Sequence, residues 1–260
     1  MLHHEISGNG KKPLVLLHGF MENTTIWNEM EAHLSKDFTL IKIDLPGHGK
    51  SKVYQEIHTV ELMAEKVKEV IDALKLEKIN LLGHSLGGYV SLAFAEKFPE
   101  ILESMTLFFS TTVADDEEKK EIRRRSIAVI DENFETFVKT SIPNLFSNNE
   151  KDILEGKIEL AKNIAKSTNK EGVKAAQLGM AERPDRTEIL ENLDAKILII
   201  AGKYDNAVKT ENLLKTIPEK TNIKTYVLDC GHNGHWEKPT ICAEIINTEL
   251  FHNLPKHFLL

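Results

Sequence analysis

Residues 79–88 read Ile79-Asn80-Leu81-Leu82-Gly83-His84-Ser85-Leu86-Gly87-Gly88. The apolar run 79–82 reads as a buried strand and 86–97 as a helix. Gly83-His84-Ser85-Leu86-Gly87 is then a tight strand-to-helix turn with a serine at its apex. A serine there has strained backbone geometry, and flanking Cβ atoms would clash. Gly83 and Gly87 remove those atoms, and Gly88 lets helix and sheet pack closely. The turn lifts the hydroxyl above the strand ends. It also places the Leu86 N–H at a helix start, where free N–H groups and the helix dipole stabilise an oxyanion. A Gly-rich turn that serves packing alone is the plainer alternative. The strand before it and the helix after it favour Ser85 as a nucleophile.

Working outward, short apolar runs alternate with helical patterns. Strands are expected at 14–17, 38–44, 79–82, 105–109, 196–201 and 225–228. Helices are expected at 25–35, 60–74, 86–97, 209–216 and 240–250. Such alternation implies parallel strands joined by right-handed crossovers, hence a doubly wound, mostly parallel α/β sheet. Continuous apolar strands fit a sheet covered on both faces. Between 111 and 193 the rhythm stops, and only helical stretches remain, at 116–130, 134–140, 149–166 and 171–181. The expected organisation is a core of 1–110 and 194–260 with an all-helical cap or lid at 111–193. Inserted between two parallel strands, such a cap lies over the carboxyl edge of the sheet, where open α/β sheets bind ligands. The charge run from Asp115 to Glu121, followed by Arg123-Arg124-Arg125, reads as a solvated helix face rather than a docking patch.

Composition narrows the function class. The chain has 260 residues, 41% hydrophobic and 28% charged, with a net charge of −7. That is ordinary globular composition, and its acidity argues against a sequence-independent nucleic-acid binder. No apolar run approaches the roughly 18 residues of a membrane span. The N-terminus shows no signal-peptide pattern, so Cys230 and Cys242 read as reduced thiols in a cytoplasmic protein.

Further along, four segments occur in a fixed order: His18-Gly19-Phe20, Asp44-Leu45-Pro46-Gly47-His48-Gly49-Lys50-Ser51, the Ser85 elbow, and Gly231-His232 followed by Glu237-Lys238-Pro239. Together they resemble the α/β-hydrolase family, in particular its small esterase-like branch with a helical cap, over nearly the whole chain. The resemblance implies that Phe20 lends a second oxyanion N–H beside that of Leu86. It also implies the chain order nucleophile, acid, base. The acid position falls on Asp205 after the strand 196–201, although Asn206-Ala207-Val208 stand where the family commonly has a proline. Asp115 or Asp116 would serve if the acid lay one strand earlier, but both read as surface. Of eleven histidines, His232 occupies the family's position and His235 is its rival. His235 and Trp236 are expected to pack beside the catalytic loop or line the pocket, His84 to pack against the sheet, His18 to brace its turn and His48 to serve its loop. Only 17 residues precede His18, so one short strand at 2–6 and a reduced sheet edge are expected.

A serine hydroxyl needs an adjacent base, held by a carboxylate. The expectation is therefore a serine hydrolase of small carboxylic esters, thioesters or lactones, acting through an acyl-enzyme on Ser85 with Asp205 and His232. Alternatives are a C–C bond hydrolase or lyase using the same residues, or a ligand-sensing protein that retains them. An aspartate-nucleophile dehalogenase or epoxide hydrolase is excluded by the serine. No cofactor or metal is expected, and the partner is a small ester-like molecule rather than nucleic acid or membrane, with the chain a monomer or weak homodimer. Arg183 and Arg186 would either face an acidic substrate or pair with surface acids. Met180, Phe146 and Trp236 are candidate pocket residues, with core packing the plainer role.

Overall fold

The computed structural model describes residues 1–251; residues 252–260 of the expected core lie outside the described residues. Seven strands form one sheet: β1 (His4–Ser7), β2 (Lys12–Leu17), β3 (Phe38–Ile43), β4 (Ile79–His84), β5 (Leu102–Phe108), β6 (Lys196–Gly202) and β7 (Ile223–Leu228). Their order is β1-β3-β2-β4-β5-β6-β7. Only β1 runs antiparallel, pairing Glu5 with Lys42 on β3. The single short strand before β2 is the reduced edge expected from the brief N-terminal segment.

Alternate residues of each strand feed two separate cores. Val15, Leu17, Ile197 and Ile199 join Met63 and Val67 of α2 (Val60–Ala73) and Val90 and Phe94 of α3 (Leu86–Lys97). Leu14, Leu16, Leu198 and Ile200 face the other way, toward Met30 and Leu34 of α1 (Asn28–Leu34). Burial on both faces explains the near-continuous apolar strands. The exception is β7, an edge strand with alternating exposure whose Val227 faces outward.

Between β5 and β6 the chain forms α4 (Glu117–Ser141), α5 (Glu155–Ser167), α6 (Lys170–Glu182) and α7 (Glu188–Asn192). The break expected between 130 and 134 is a kink at Asn133, where φ is −155° and ψ 86°. The helix expected from 149 begins at Glu155, after a short 3₁₀ turn at Asn148–Glu150. After β6 follow α8 (Thr210–Leu214), α9 (Gly234–Glu237) and α10 (Pro239–Ile246). Among the described residues no helix is long and apolar enough to cross a membrane.

The strand order reverses at β2, which has β3 on one side and β4 on the other. The carboxyl ends of β2 and β4 therefore flank a topological switch point, the place where open α/β sheets gather ligands. His18-Gly19-Phe20 leaves the first of these ends and Ser85 the second.

Candidate active site

Ser85 directly follows β4 and has φ 49° and ψ −110°, a region that L-residues rarely occupy. Its surroundings hold it there. Ser85 N donates to Phe108 O at 3.0 Å, and the Ser110 hydroxyl donates to Ser85 O at 2.8 Å. A Cβ on Gly83 would lie 2.1 Å from Gly87 O, so the elbow closes only with glycine at that position. Gly87 has a different neighbour from the one its sequence position suggests. A Cβ there would lie 2.4 Å from Leu17 O, so this glycine lets α3 approach the end of β2. The start of α3 is thereby brought beside the turn that carries Phe20.

Asp205 follows β6, and its Oδ2 lies 2.7 Å from His232 Nδ1 with both side chains buried. Oδ1 accepts from Ala207 N and Val208 N, each at 2.8 Å. Those two N–H donors explain why this chain can dispense with a proline there, since proline at either position has no N–H to give. His232 is fixed through its backbone as well. Its N–H donates to Leu145 O at 2.8 Å, from the 3₁₀ turn Ile142–Leu145 after α4. The Glu237 carboxylate accepts from Gly231 N at 2.9 Å, Asn233 N at 3.2 Å and Ser147 N at 3.2 Å, which orders the loop on both sides of His232.

Phe20, Ser85 and His232 line one cavity of about 760 Å³, with Arg123, Gln177, Met180 and Arg183 closing it from the helical insertion. A smaller depression of about 460 Å³ borders Asp205 without reaching Ser85 or His232. Ser85 and His232 face the same space, but no hydrogen bond joins them among the described residues. Such bonds commonly tighten only when substrate is bound.

The rival candidates go elsewhere. His235 is fully buried among Trp27, His84 and Trp236, and neither ring nitrogen has a hydrogen-bond partner. Burial pushes its pKa well below the usual histidine value. Asp116 caps α4, accepting from Lys119 N at 2.8 Å. Asp115 departs from its expected place on a solvated face. It is buried between Arg183, 2.9 Å away, and Arg123. Burial opposes its ionisation, yet the two guanidinium groups hold its carboxyl at about 2. Arg183 also lies 4.0 Å over the Tyr89 ring, while Arg186 pairs with Glu61 and Glu96. Of the candidate pocket apolars, Met180 lines the cavity, whereas Phe146 stacks on Trp236 at 6.0 Å in the core.

The remaining histidines divide by role. His18 bridges two loops: its Nε2 accepts from Leu45 N at 2.9 Å and its Nδ1 donates to Gly19 O at 2.7 Å. Burial lowers the pKa of His18, and brings that of His48 to about 3 with the help of nearby His18. His84 does more than pack against the sheet, because it meets Glu22, a residue with no distinguishing sequence signal beyond its place three residues after Gly19. Glu22, His84 and His235 bring ligand-type atoms within 4.8 Å of one another, but both His84 ring nitrogens are already engaged, one by Glu22 and the other by the His232 carbonyl. Both cysteines are buried free thiols; burial raises both pKa values, that of Cys242 to about 12.

The family model described as alpha/beta hydrolase fold matches residues 12–239. A thermophilic esterase from Thermogutta terrifontis, solved with malate bound, is 34% identical with a TM-score of 0.88, covering 95% of this chain and 91% of that one. A putative 2-succinyl-6-hydroxy-2,4-cyclohexadiene-1-carboxylate synthase from Bacillus subtilis is 28% identical, over 92% of this chain and 90% of its own. An uncharacterized Mycobacterium tuberculosis protein is 35% identical over 111 residues, 43% of this chain, and the match spans only 32% of that protein's length.

Proposed function

The chain belongs to the α/β-hydrolase fold family, and from that membership we propose that it hydrolyses small carboxylic esters, thioesters or lactones through an acyl-enzyme on Ser85. One observation carries the reading: the buried Asp205–His232 hydrogen bond of 2.7 Å opens onto the same cavity as the strained Ser85 elbow. Similarity to the Thermogutta esterase supports it independently.

His232 Nε2 takes the hydroxyl proton as Ser85 Oγ attacks the acyl carbonyl carbon. Asp205 accepts from Nδ1–H, fixes the tautomer and stabilises the imidazolium that forms. Negative charge on the carbonyl oxygen is met by the N–H groups of Phe20 and Leu86. The tetrahedral species collapses, the C–O bond to the leaving group (C–S in a thioester) breaks, and His232 returns the proton to the departing alkoxide or thiolate. Water then attacks the acyl-enzyme with His232 again as base, releasing the acid and restoring Ser85.

Ser85→Ala is expected to abolish both turnover of short p-nitrophenyl esters and labelling by a fluorophosphonate probe. Labelling that survives the substitution would sink the nucleophile assignment. A second reading, carbon–carbon bond chemistry with the same residues, is favoured by the similarity to the Bacillus protein. It predicts a wild-type protein that is labelled at Ser85 yet leaves an acyl-chain-length series of esters unhydrolysed. A ligand sensor would instead give one slow turnover rather than a steady rate.

A further inference from the structure

Glu22 is buried just beyond the turn that carries Phe20. Its Oε2 accepts from Gly19 N at 2.6 Å and lies 2.8 Å from His84 Nδ1. The other ring nitrogen, His84 Nε2, lies 3.0 Å from the backbone carbonyl of His232. A carbonyl oxygen only accepts, so Nε2 carries a proton. A carboxylate oxygen that already takes the Gly19 N–H accepts from Nδ1 as well, so that nitrogen is protonated too. A histidine donating from both ring nitrogens is an imidazolium.

We infer that Glu22 and His84 form a buried carboxylate–imidazolium pair that acts as a positioning unit, fastening the Phe20 turn, the Ser85 elbow and the His232 loop to one another. Each contact ties a different element. Gly19 N–H belongs to the segment leaving β2, His84 is the last residue of β4, and the His232 carbonyl lies beyond β7. His232 is then held at both ends, its ring by Asp205 and its carbonyl by His84.

The other groups around His84 are consistent with a single positive charge there. His235 packs 4.6 Å from it and His232 5.1 Å, with the Phe108 and Phe109 rings at 5.8 and 6.4 Å. His18 accepts a backbone N–H through one ring nitrogen and so is neutral, while Asp205 adds a more distant negative charge. Burial alone would lower the His84 pKa, but Glu22, the His232 carbonyl and Asp205 together raise it.

The positioning role rests on the hydrolytic reading of Ser85; the ion pair does not, and the test separates them. Nuclear magnetic resonance of the wild-type protein, labelled with ¹⁵N at its histidine rings, reports protonation directly. His84 is identified through its contacts with the Phe108 and Phe109 rings. Both ring nitrogens are expected to carry protons at about pH 7, where an ordinary histidine is mostly neutral. A single protonated nitrogen would overturn the inference without any variant. Glu22→Gln, checked for folding by its melting curve, is expected to lose the second proton. Its kcat on p-nitrophenyl acetate should fall about 10- to 100-fold with KM changed less than about threefold, as for misplaced catalytic groups. Loss of the proton with kcat unchanged overturns the positioning role. A stoichiometric divalent metal that co-purifies with the wild type and is absent from Glu22→Gln overturns the pair in favour of a metal centre. A doubly protonated His84 in a protein that fluorophosphonate does not label removes the hydrolytic reading, and with it the positioning role, but leaves the pair.

Discussion

Asp205 divides its two oxygens between separate tasks. Oδ1 takes the N–H groups of Ala207 and Val208, which fix the carboxylate plane, and Oδ2 is left for His232. Asp205→Asn keeps the shape but offers an NH₂ or a neutral carbonyl where a charged acceptor stood, so the imidazole can turn to the wrong tautomer. By analogy with the serine proteases, kcat on p-nitrophenyl acetate should fall about 10³- to 10⁴-fold with KM little changed. A kcat within tenfold of wild type would remove Asp205 from the acid's role. Ser85 shows the complementary point about single residues. Its backbone strain is maintained by hydrogen bonds from Ser85 N to Phe108 O and from Ser110 to Ser85 O, contacts made by β5 and the segment after it. The elbow is a property of two strands rather than one.

The helical insertion presents a mixed set of ends and faces. Helix α6 starts cleanly because the Asn169 side chain accepts from Glu171 N at 2.9 Å and Gly172 N at 3.2 Å, two donors with no partner inside the helix. Asn169→Ala should destabilise the protein by about 1 kcal/mol, a fall of roughly 2–4 °C in melting temperature for a domain of this size. A melting temperature unchanged within error would mean that tertiary packing alone holds the start of α6. That packing is substantial, since Ala175, Ala176 and Met180 are all buried. The expected solvated face fails where Asp115, just before α4, turns inward to Arg123 and Arg183, and Arg123 itself lines the cavity. The 3₁₀ turn after α4 reaches the site itself, through the hydrogen bond from His232 N to Leu145 O. The insertion therefore contributes directly to holding the His232 loop.

For the whole molecule, the buried Glu22–His84 pair gives stability a definite pH window. Burial opposes ionisation of Glu22, but the charge and hydrogen bond of His84 bring its pKa from 4.5 to about 2. Its contribution is present above pH 4.5 and lost as pH falls toward 2. His84 is raised above 6.5, so its contribution is present below pH 6.5 and lost as pH rises through the shifted value. These are two views of one interaction, and both carry full weight only between pH 4.5 and 6.5. The melting-temperature gap between wild type and Glu22→Gln should be widest in that interval and narrow on either side. A gap that stays flat from about pH 4 to 9 would show that the pair does not titrate with folding.

Much of this is legible in the sequence. The alternation of strands and helices, the glycine spacing around Ser85 and the order Ser85, Asp205, His232 are local or sequential features. Periodicity and turn chemistry record them directly in the chain. Other features had no local signature. His232 and His235 are three residues apart in one loop, and the choice between them depends on which ring meets Asp205, 27 positions away from His232. Glu22 carries no local signal, and its role appears only when folding brings it to His84, 62 positions on, and His84 to the His232 carbonyl, 148 positions on. Asp115 is similar: its charge run reads as solvated because its partner Arg183 lies 68 positions later. Burial of a charge depends on the partner that offsets its lost hydration, and that partner is fixed by the packing of distant elements. The sequence by itself therefore determined the sheet, the elbow and the order of the candidate residues, while only the tertiary structure decided which charges are buried, and against which partners.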